Sequence, residues 1–278
     1  MLSYRHAFHA GNHADVLKHY VFSLVLDYFN QKDKPYWVVD THAGAGMYAL
    51  ASTFAQKNAE FETGIARLFA AKNLPETLAD FVKVIKSFNE NDSLNFYPGS
   101  PKIAESFLRK DDKLRLFELH PSDYKLLTEN FKSRQTKIEL LDGFAGIKAC
   151  LPPPTKRAVV LIDPPYELKE DYQRVVDCIN DSLKRFATGT YMIWYPLLQR
   201  PEPAEMVGKL MALSVNWLQI EMTVQAPSDD GYGMHGSGMF IINPPYILFD
   251  ILDEAMPILT SILEIDETAN SSIVSKIN

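Results

Sequence analysis

Ala158-Val159-Val160-Leu161-Ile162-Asp163-Pro164-Pro165-Tyr166 reads as a buried strand that ends in a chemically loaded turn. An unbroken apolar run rich in β-branched residues suits a parallel strand covered on both faces. Consecutive prolines fix the backbone and remove two N–H donors. The carbonyls at the strand end are then available as acceptors. Asp163 adds a carboxylate, and Tyr166 adds a flat face. Acceptors beside a stacking face suit an aromatic amine whose lone pair is drawn into its ring, such as the exocyclic amine of adenine. The simpler reading of the same residues is a strand closed by a Pro-Pro turn.

Working outward from this run, three earlier strands carry polar residues at the same end. Tyr36-Trp37-Val38-Val39 leads into Asp40-Thr41-His42-Ala43-Gly44-Ala45-Gly46. Glycines after a strand let a ligand approach the backbone. Gly44 to Ala49 also fits the dinucleotide G-x-G-x-x-A pattern. A nicotinamide enzyme should then place an acid after a second strand about 20 residues on. Glu60 and Glu62 lie near there in polar, helical surroundings, and the strand-end acid arrives only at Glu118, after Leu114-Arg115-Leu116-Phe117. Glu118 can accept from both hydroxyls of a ribose. Ile138 to Leu141 forms the third strand and ends in Asp142-Gly143-Phe144. Asp142 can accept from an adenine amine, and Phe144 can stack on the ring. This order puts Asp163 on the fourth strand, beside the first.

Beyond Tyr166, a helix is expected over about 168 to 186 and a fifth strand over Tyr191 to Tyr195. Gly231, Gly233, Gly236 and Gly238 suggest a flexible loop. A helix near 202 to 213 leads to a strand over Leu218 to Val224, for which Met239 to Ile242 suggests a hairpin partner. A helix near 248 to 262 and a polar tail complete the reading. Asn243-Pro244-Pro245-Tyr246 repeats the Pro-Pro pattern. It is expected to be structural, at the end of an outer strand of reversed direction and at the opposite edge of the sheet.

The expected architecture is α/β, with residues 1–52 and 99–278 as the main domain. Residues 1–13 form an amino-terminal arm, and 53–98 an inserted helical subdomain in which Leu78, Phe81, Val82, Ile85 and Phe88 mark an amphipathic helix. The arm carries Arg5, His6, His9 and His13, and Lys18 and His19 follow on the first turns of a helix. No carboxylate-rich or cysteine set accompanies these histidines, so no metal is expected. A cationic, hydrogen-bonding arm over a pocket is the favoured reading, against an ordinary solvated terminus.

Composition bounds the function. The chain has 278 residues, 46% hydrophobic and 23% charged, enough for one large α/β domain with an insertion. Its formal net charge of −7 excludes a general nucleic-acid coat, so any nucleic-acid contact must be local. Cys150 and Cys178 have no metal-ligand spacing and suit a reducing cytoplasm. No run approaches the ~20 apolar residues of a membrane span, and no obligate protein partner is evident.

Asp163 to Tyr166 resembles the Asp/Asn-Pro-Pro-aromatic motif of methyltransferases that act on amino nitrogens. Taken with Tyr4-Arg5-His6, Lys18-His19, Asp40 to Gly46, Pro98-Gly99-Ser100-Pro101, Glu118-Leu119-His120-Pro121, Asp142-Gly143-Phe144 and Trp194-Tyr195-Pro196, nearly the whole chain resembles the RlmJ family. These are bacterial 23S ribosomal RNA adenine-N6 methyltransferases, formerly grouped with proteins of external-DNA utilisation. The resemblance implies a Rossmann-like class I sheet and S-adenosyl-L-methionine as cofactor. It implies cofactor contacts at His19, His42, Ser100, Glu118, Asp142, Gly143 and Asp163. It also implies catalysis at Asp163 with Pro164 and Tyr166, and substrate contacts at Tyr4, His6 and Lys18. Large-subunit ribosomal RNA is the implied partner. DNA adenine, or external DNA used as a nutrient, is the alternative substrate. Asp229 and Asp230 stand where the family often has basic residues, which puts RNA contact by that loop in question. A nicotinamide oxidoreductase leaves Asp163 to Tyr166 unexplained. A catalytically idle RNA-binding protein leaves the strand-end acids unexplained.

Overall fold

The computed structural model describes residues 6–277; Tyr4 lies outside them. After a 3-10 turn at His6–Phe8 comes α1, His13–Asn30. Asn12 caps α1, its side chain accepting from the Asp15 amide at 2.9 Å. β1 (Trp37–Asp40) and β2 (Met47–Ala49) follow, then α2 (Thr53–Asn58), α3 (Ile65–Ala70), α4 (Glu76–Lys86) and β3 (Phe96–Pro98). Helix and strand then alternate: α5 (Ser100–Phe107), β4 (Lys113–Phe117), α6 (Pro121–Asn130), β5 (Thr136–Glu139), α7 (Gly143–Cys150), β6 (Ala158–Ile162), α8 (Glu170–Arg185), β7 (Thr190–Leu197) and α9 (Pro201–Met211). β8 (Trp217–Thr223), β9 (Gly236–Ile242), α10 (Leu248–Leu263) and β10 (Asn270–Lys276) complete the chain.

The strands form one sheet in the order β10-β8-β9-β7-β6-β1-β4-β5. β1 pairs in parallel with both β4 and β6, and β7 continues parallel beyond β6. β9 runs antiparallel between β7 and β8, and β10 antiparallel to β8. This is the expected Rossmann-like sheet with an added edge strand. Side chains alternate across β6. Val159 and Leu161 enter the core that holds α1 and α10, while Ala158, Val160 and Ile162 enter the core under α8 and α9. Burial on both faces explains why this strand reads as an unbroken apolar run. The chain path reverses between β1 and β6, which opens a crevice at the carboxyl ends of these strands.

Segment 53–98 is helical, and its Leu78, Phe81 and Ile85 bury into the cluster that holds Leu17 and Val21 of α1. The β2–β3 ribbon pairs Met47 with Pro98 and so joins the two ends of this excursion.

Several expectations are corrected. The polar tail is β10, where alternation in Asn270–Lys276 pairs with β8. Gly236 and Gly238 belong to fully buried β9, not to a loop. A Cβ on Gly238 would lie 2.3 Å from the Tyr195 ring, so the glycine makes room for an aromatic. Asn243 does not end an outer strand, because β9 is internal. It lies at the opposite end of the sheet from Asp163, where its amide donates to the Ala187 and Gly189 carbonyls at 2.8 and 2.7 Å. Tyr166 and Asn243 share a left-handed backbone, each with φ near +52°. The left-handed residue closes the first Pro-Pro segment but opens the second, so the two turns differ in shape as well as in surroundings. In the described part of the arm Ala10 to His13 are buried, which supports the favoured arm over a pocket against the solvated terminus.

Candidate active site

The crevice at the β1–β6 reversal is a cavity of about 180 Å³. Its floor comes from β1 and the loop that follows. Asp40 ends β1 buried, accepting from Ser100 Oγ at 2.7 Å and the His42 amide at 3.2 Å. Burial pushes its carboxyl up to about 6. Ser100 is in the crevice because Gly99-Ser100-Pro101 starts α5 there, with proline in the first turn. Gly44 takes φ +60° and donates its amide to Glu118 Oε2 at 2.7 Å, while the His120 amide donates to Oε1 at 2.7 Å. Glu118 is thus fixed at the tip of β4. Burial raises its pKa, although both amides favour the charged form.

Asp142 caps α7, accepting from the Phe144 amide at 2.9 Å, and its other oxygen meets Arg174. A Cβ on Gly143 would sit 1.9 Å from the Thr41 carbonyl, so only glycine lets α7 approach β1 this closely. His42 packs edge-on to Phe144 with centroids 5.0 Å apart, and burial lowers its pKa to about 4. Phe144 is only 8% exposed, with the Arg174 guanidinium 4.5 Å from its ring centre. It therefore does not offer the free stacking face expected of it.

His19 reaches the crevice from α1. Its Nδ1 pairs with the Tyr97 hydroxyl at 2.7 Å, and its buried Nε2 has no hydrogen-bond partner. Burial pushes this imidazole well below its usual pKa. The ring lines the cavity, and its unsatisfied Nε2, 3.9 Å from Asp15 Oδ1, leaves one polar contact of this side chain unmade.

Asp163 forms the far wall. Its Oδ2 accepts from Lys18 Nζ at 2.5 Å, and Lys18 also pairs with Asp15 at 2.9 Å. Asp15 in turn takes His6 Nε2 at 2.8 Å and the Gly11 amide at 2.9 Å. Burial opposes the Lys18 charge, but the two carboxylates outweigh it and raise its pKa. Lys18 is only 4% exposed, and its ammonium is committed to buried Asp15 and half-buried Asp163. His6 sits at the crevice through the Asp15 bond, T-shaped to Tyr48 at 5.2 Å.

Tyr166 is 2% exposed. Its hydroxyl donates to the Trp194 carbonyl at 2.6 Å, and its ring lies 4.5 Å from that of Tyr172. The broad stacking face expected from sequence is mostly committed to the core. A second cavity of about 220 Å³ lies on the other side of Asp163, between the arm at His9 and Asn12 and a wall of Trp194, Pro196 and Met234. His6, Lys18, Asp163 and Pro165 line both cavities. Pro164 lines only the first.

His19, His42, Ser100, Glu118, Asp142, Gly143, Asp163 and Pro164 therefore border one crevice. Asp15, Asp40 and Arg174 were missed from sequence. The i, i+3, i+4 spacing of Asp15, Lys18 and His19 places them on one helix face and was available as a signal. Nothing local marks Arg174. Among the described residues no helix is long and apolar enough to cross a membrane.

Asp40 carries a stability prediction. A carboxyl raised in the fold binds its proton more tightly there than in the unfolded chain. Its contribution therefore falls as pH rises from about 4 to about 6 and stays low above that. Asp40→Asn is expected to stabilise the protein by roughly 1–3 kcal/mol at pH 7, with the gain vanishing near pH 4. Paired thermal melts at the two pH values check this. An equal gain at both would rule out the burial of charge as its cause.

Residues 33–274 match the family described as "Ribosomal RNA large subunit methyltransferase D, RlmJ". The chain is 48% identical over 275 residues to the Escherichia coli K12 protein named "Ribosomal RNA large subunit methyltransferase J", with 98% of each chain covered. The Haemophilus influenzae protein of the same name is 46% identical over 276 residues, again with 98% of each covered. A crystal structure of a Legionella pneumophila protein, 34% identical, superposes with a TM-score of 0.88 over 96% of this chain and 98% of that one. Full-length similarity at this level, on a sheet whose crevice gathers the strand-end acids, places the chain in the RlmJ family.

Proposed function

We propose that this chain transfers a methyl group from S-adenosyl-L-methionine to the N6 amine of an adenine in 23S ribosomal RNA. The observation that carries the reading is the position of Asp163 as a wall common to two cavities. One is bordered by fixed acids and the His19 imidazole, and the other by the arm and Trp194. A donor in the first and a base in the second meet at this carboxylate.

The cofactor suits the residues present. Glu118 is held by two amides with a lone pair left on each oxygen for ribose hydroxyls. Asp142 suits an adenine amine, and His19 Nε2 is open to a polar group. His42, Ser100 and Gly143 complete this wall. When bound, S-adenosyl-L-methionine supplies an electrophilic methyl group. This chain's residues supply alignment and charge placement. Asp163, which lines both cavities, accepts from the target amine and localises its lone pair, with the Pro164 carbonyl as second acceptor from the donor side of the boundary. Asp163 can also take the proton released on transfer. Lys18 donates to the carboxylate and orients it. Tyr166 holds Trp194, which borders the base cavity, so its part is positioning. His6, on the described part of the arm, borders the base cavity, and the substrate contact at Tyr4 rests on the family resemblance. The base must leave its helix or come from a loop to reach this cavity.

Residues 1–52 and 99–278 form the catalytic unit, with 53–98 buttressing α1. Ribosomal RNA as substrate requires a cytoplasmic enzyme. The test is entry of labelled methyl into large-subunit ribosomal RNA lacking the modification, with matched RNA and DNA hairpins alongside. Label confined to DNA would sink the substrate assignment.

A further inference from the structure

The adenine end of the crevice holds an ion pair that no step of the proposed reaction uses. Arg174, on α8, contacts Asp142 Oδ2 with one guanidinium nitrogen and lies 3.3 Å from Asp171 Oδ1 with another. Its guanidinium carbon lies 4.5 Å from the centre of the Phe144 ring. Arg174, Asp142 and Asp171 all line the cavity. Both oxygens of Asp142 are therefore engaged, one by the α7 cap and one by Arg174. An ion-paired carboxylate is a weaker acceptor for an incoming amine than a free one. The pair is partly exposed, with side-chain accessibilities of 44% for Arg174 and 34% for Asp142, so water and salt can loosen it. Asp171 is the more buried acid, at 7%. It gives the guanidinium a second anchor when Asp142 lets go.

We infer that Arg174 is a displaceable latch over the adenine subsite, giving up Asp142 Oδ2 to the exocyclic amine of the cofactor. This rests on the function proposed above, because it takes Asp142 as the adenine acceptor. A latch that must open lowers apparent affinity by the fraction of molecules in which it is closed. Removing it tightens the ligand. A residue that merely packs against the site would weaken the ligand when removed.

The test is calorimetric binding of S-adenosylhomocysteine to the full chain and to Arg174→Met, which keeps the stem over Phe144 but has no donors. Binding to Arg174→Met is expected to be about two- to fivefold tighter, the range an exposed ion pair supports. Raising salt from about 50 to about 500 mM should tighten wild-type binding and leave Arg174→Met unchanged. S-inosylhomocysteine, which carries a carbonyl in place of the amine, accepts from Arg174 and should bind Arg174→Met no more tightly than wild type. Thermal melts confirm that the variant folds. Equal or weaker S-adenosylhomocysteine binding by folded Arg174→Met overturns the latch. Wild type that binds no S-adenosylhomocysteine at all overturns the proposed function, and the latch with it.

Discussion

Asp163→Ala is expected to lower the rate of methyl transfer by about 10²–10⁴-fold, the range a positioned acid–base group supplies, while leaving S-adenosylhomocysteine binding within an order of magnitude. The carboxylate lies between the two cavities and is held by Lys18 at 2.5 Å. Its loss removes the acceptor that orients the target amine and the group placed to take its proton. Asp163→Asn separates these contributions. The amide oxygen still accepts from the amine, and only the charge is lost. A charged hydrogen bond exceeds a neutral one by ~1 kcal/mol or more, so the asparagine variant should fall between wild type and alanine. Single-turnover rates measured at saturating cofactor avoid confusing chemistry with binding. Wild-type turnover by folded Asp163→Ala would remove Asp163 from the reaction.

The second large effect is on the fold. Lys18→Met strips the cation from between two acids while keeping most of the side-chain volume. Asp15 is 2% exposed and Lys18 4%. Removing one partner of a buried pair costs about 3–5 kcal/mol, because the remaining charge is uncompensated. The melting temperature should fall by about 10 °C for a chain of this size. The pH dependence has a definite sign. Burial works to raise the Asp15 pKa, but His6, Lys18 and His19 outweigh it and hold the carboxyl well below its usual value. A depressed carboxyl contributes stability that is complete above the unfolded pKa of ~3.9 and is lost as pH falls toward the folded value. In Lys18→Met part of that depression disappears. The deficit is therefore largest near pH 7 and narrows on acidification below about pH 5, as the stranded Asp15 takes up a proton. Lys18→Arg, which retains the charge, should recover more stability than Lys18→Met. A deficit below 1 kcal/mol, or one independent of pH, would show that the Lys18 ion pairs are not structural.

How far the local pattern reached depended on the kind of signal. β6 was legible because a strand buried on both faces must be apolar throughout. Glu118, Asp142 and Asp163 were legible because each is an acid immediately after an apolar run. Strand ends in a parallel sheet converge on one edge. β10 was not legible. An edge strand with one wet face is polar enough to resemble a tail, and its pairing partner lies about fifty residues away in β8. The buried glycines of β9 carried the composition of a loop, because the space they leave for Tyr195 is a property of the neighbouring strand.

The sequence alone determined which residues could carry the chemistry. The order of strand-end acids, the Pro-Pro turn and the apolar periods are local properties of the chain, dictated by backbone sterics and side-chain polarity. Tertiary structure decided what each residue is free to do. It turned Tyr166 inward against Tyr172, set Lys18 between buried Asp15 and half-buried Asp163, covered Phe144 with Arg174, and anchored Asn243 at the far end of the sheet. None of these outcomes follows from neighbours in sequence. Burial and ion pairing depend on segments brought together over long chain separations, and those contacts determine which polar atoms remain available to a ligand.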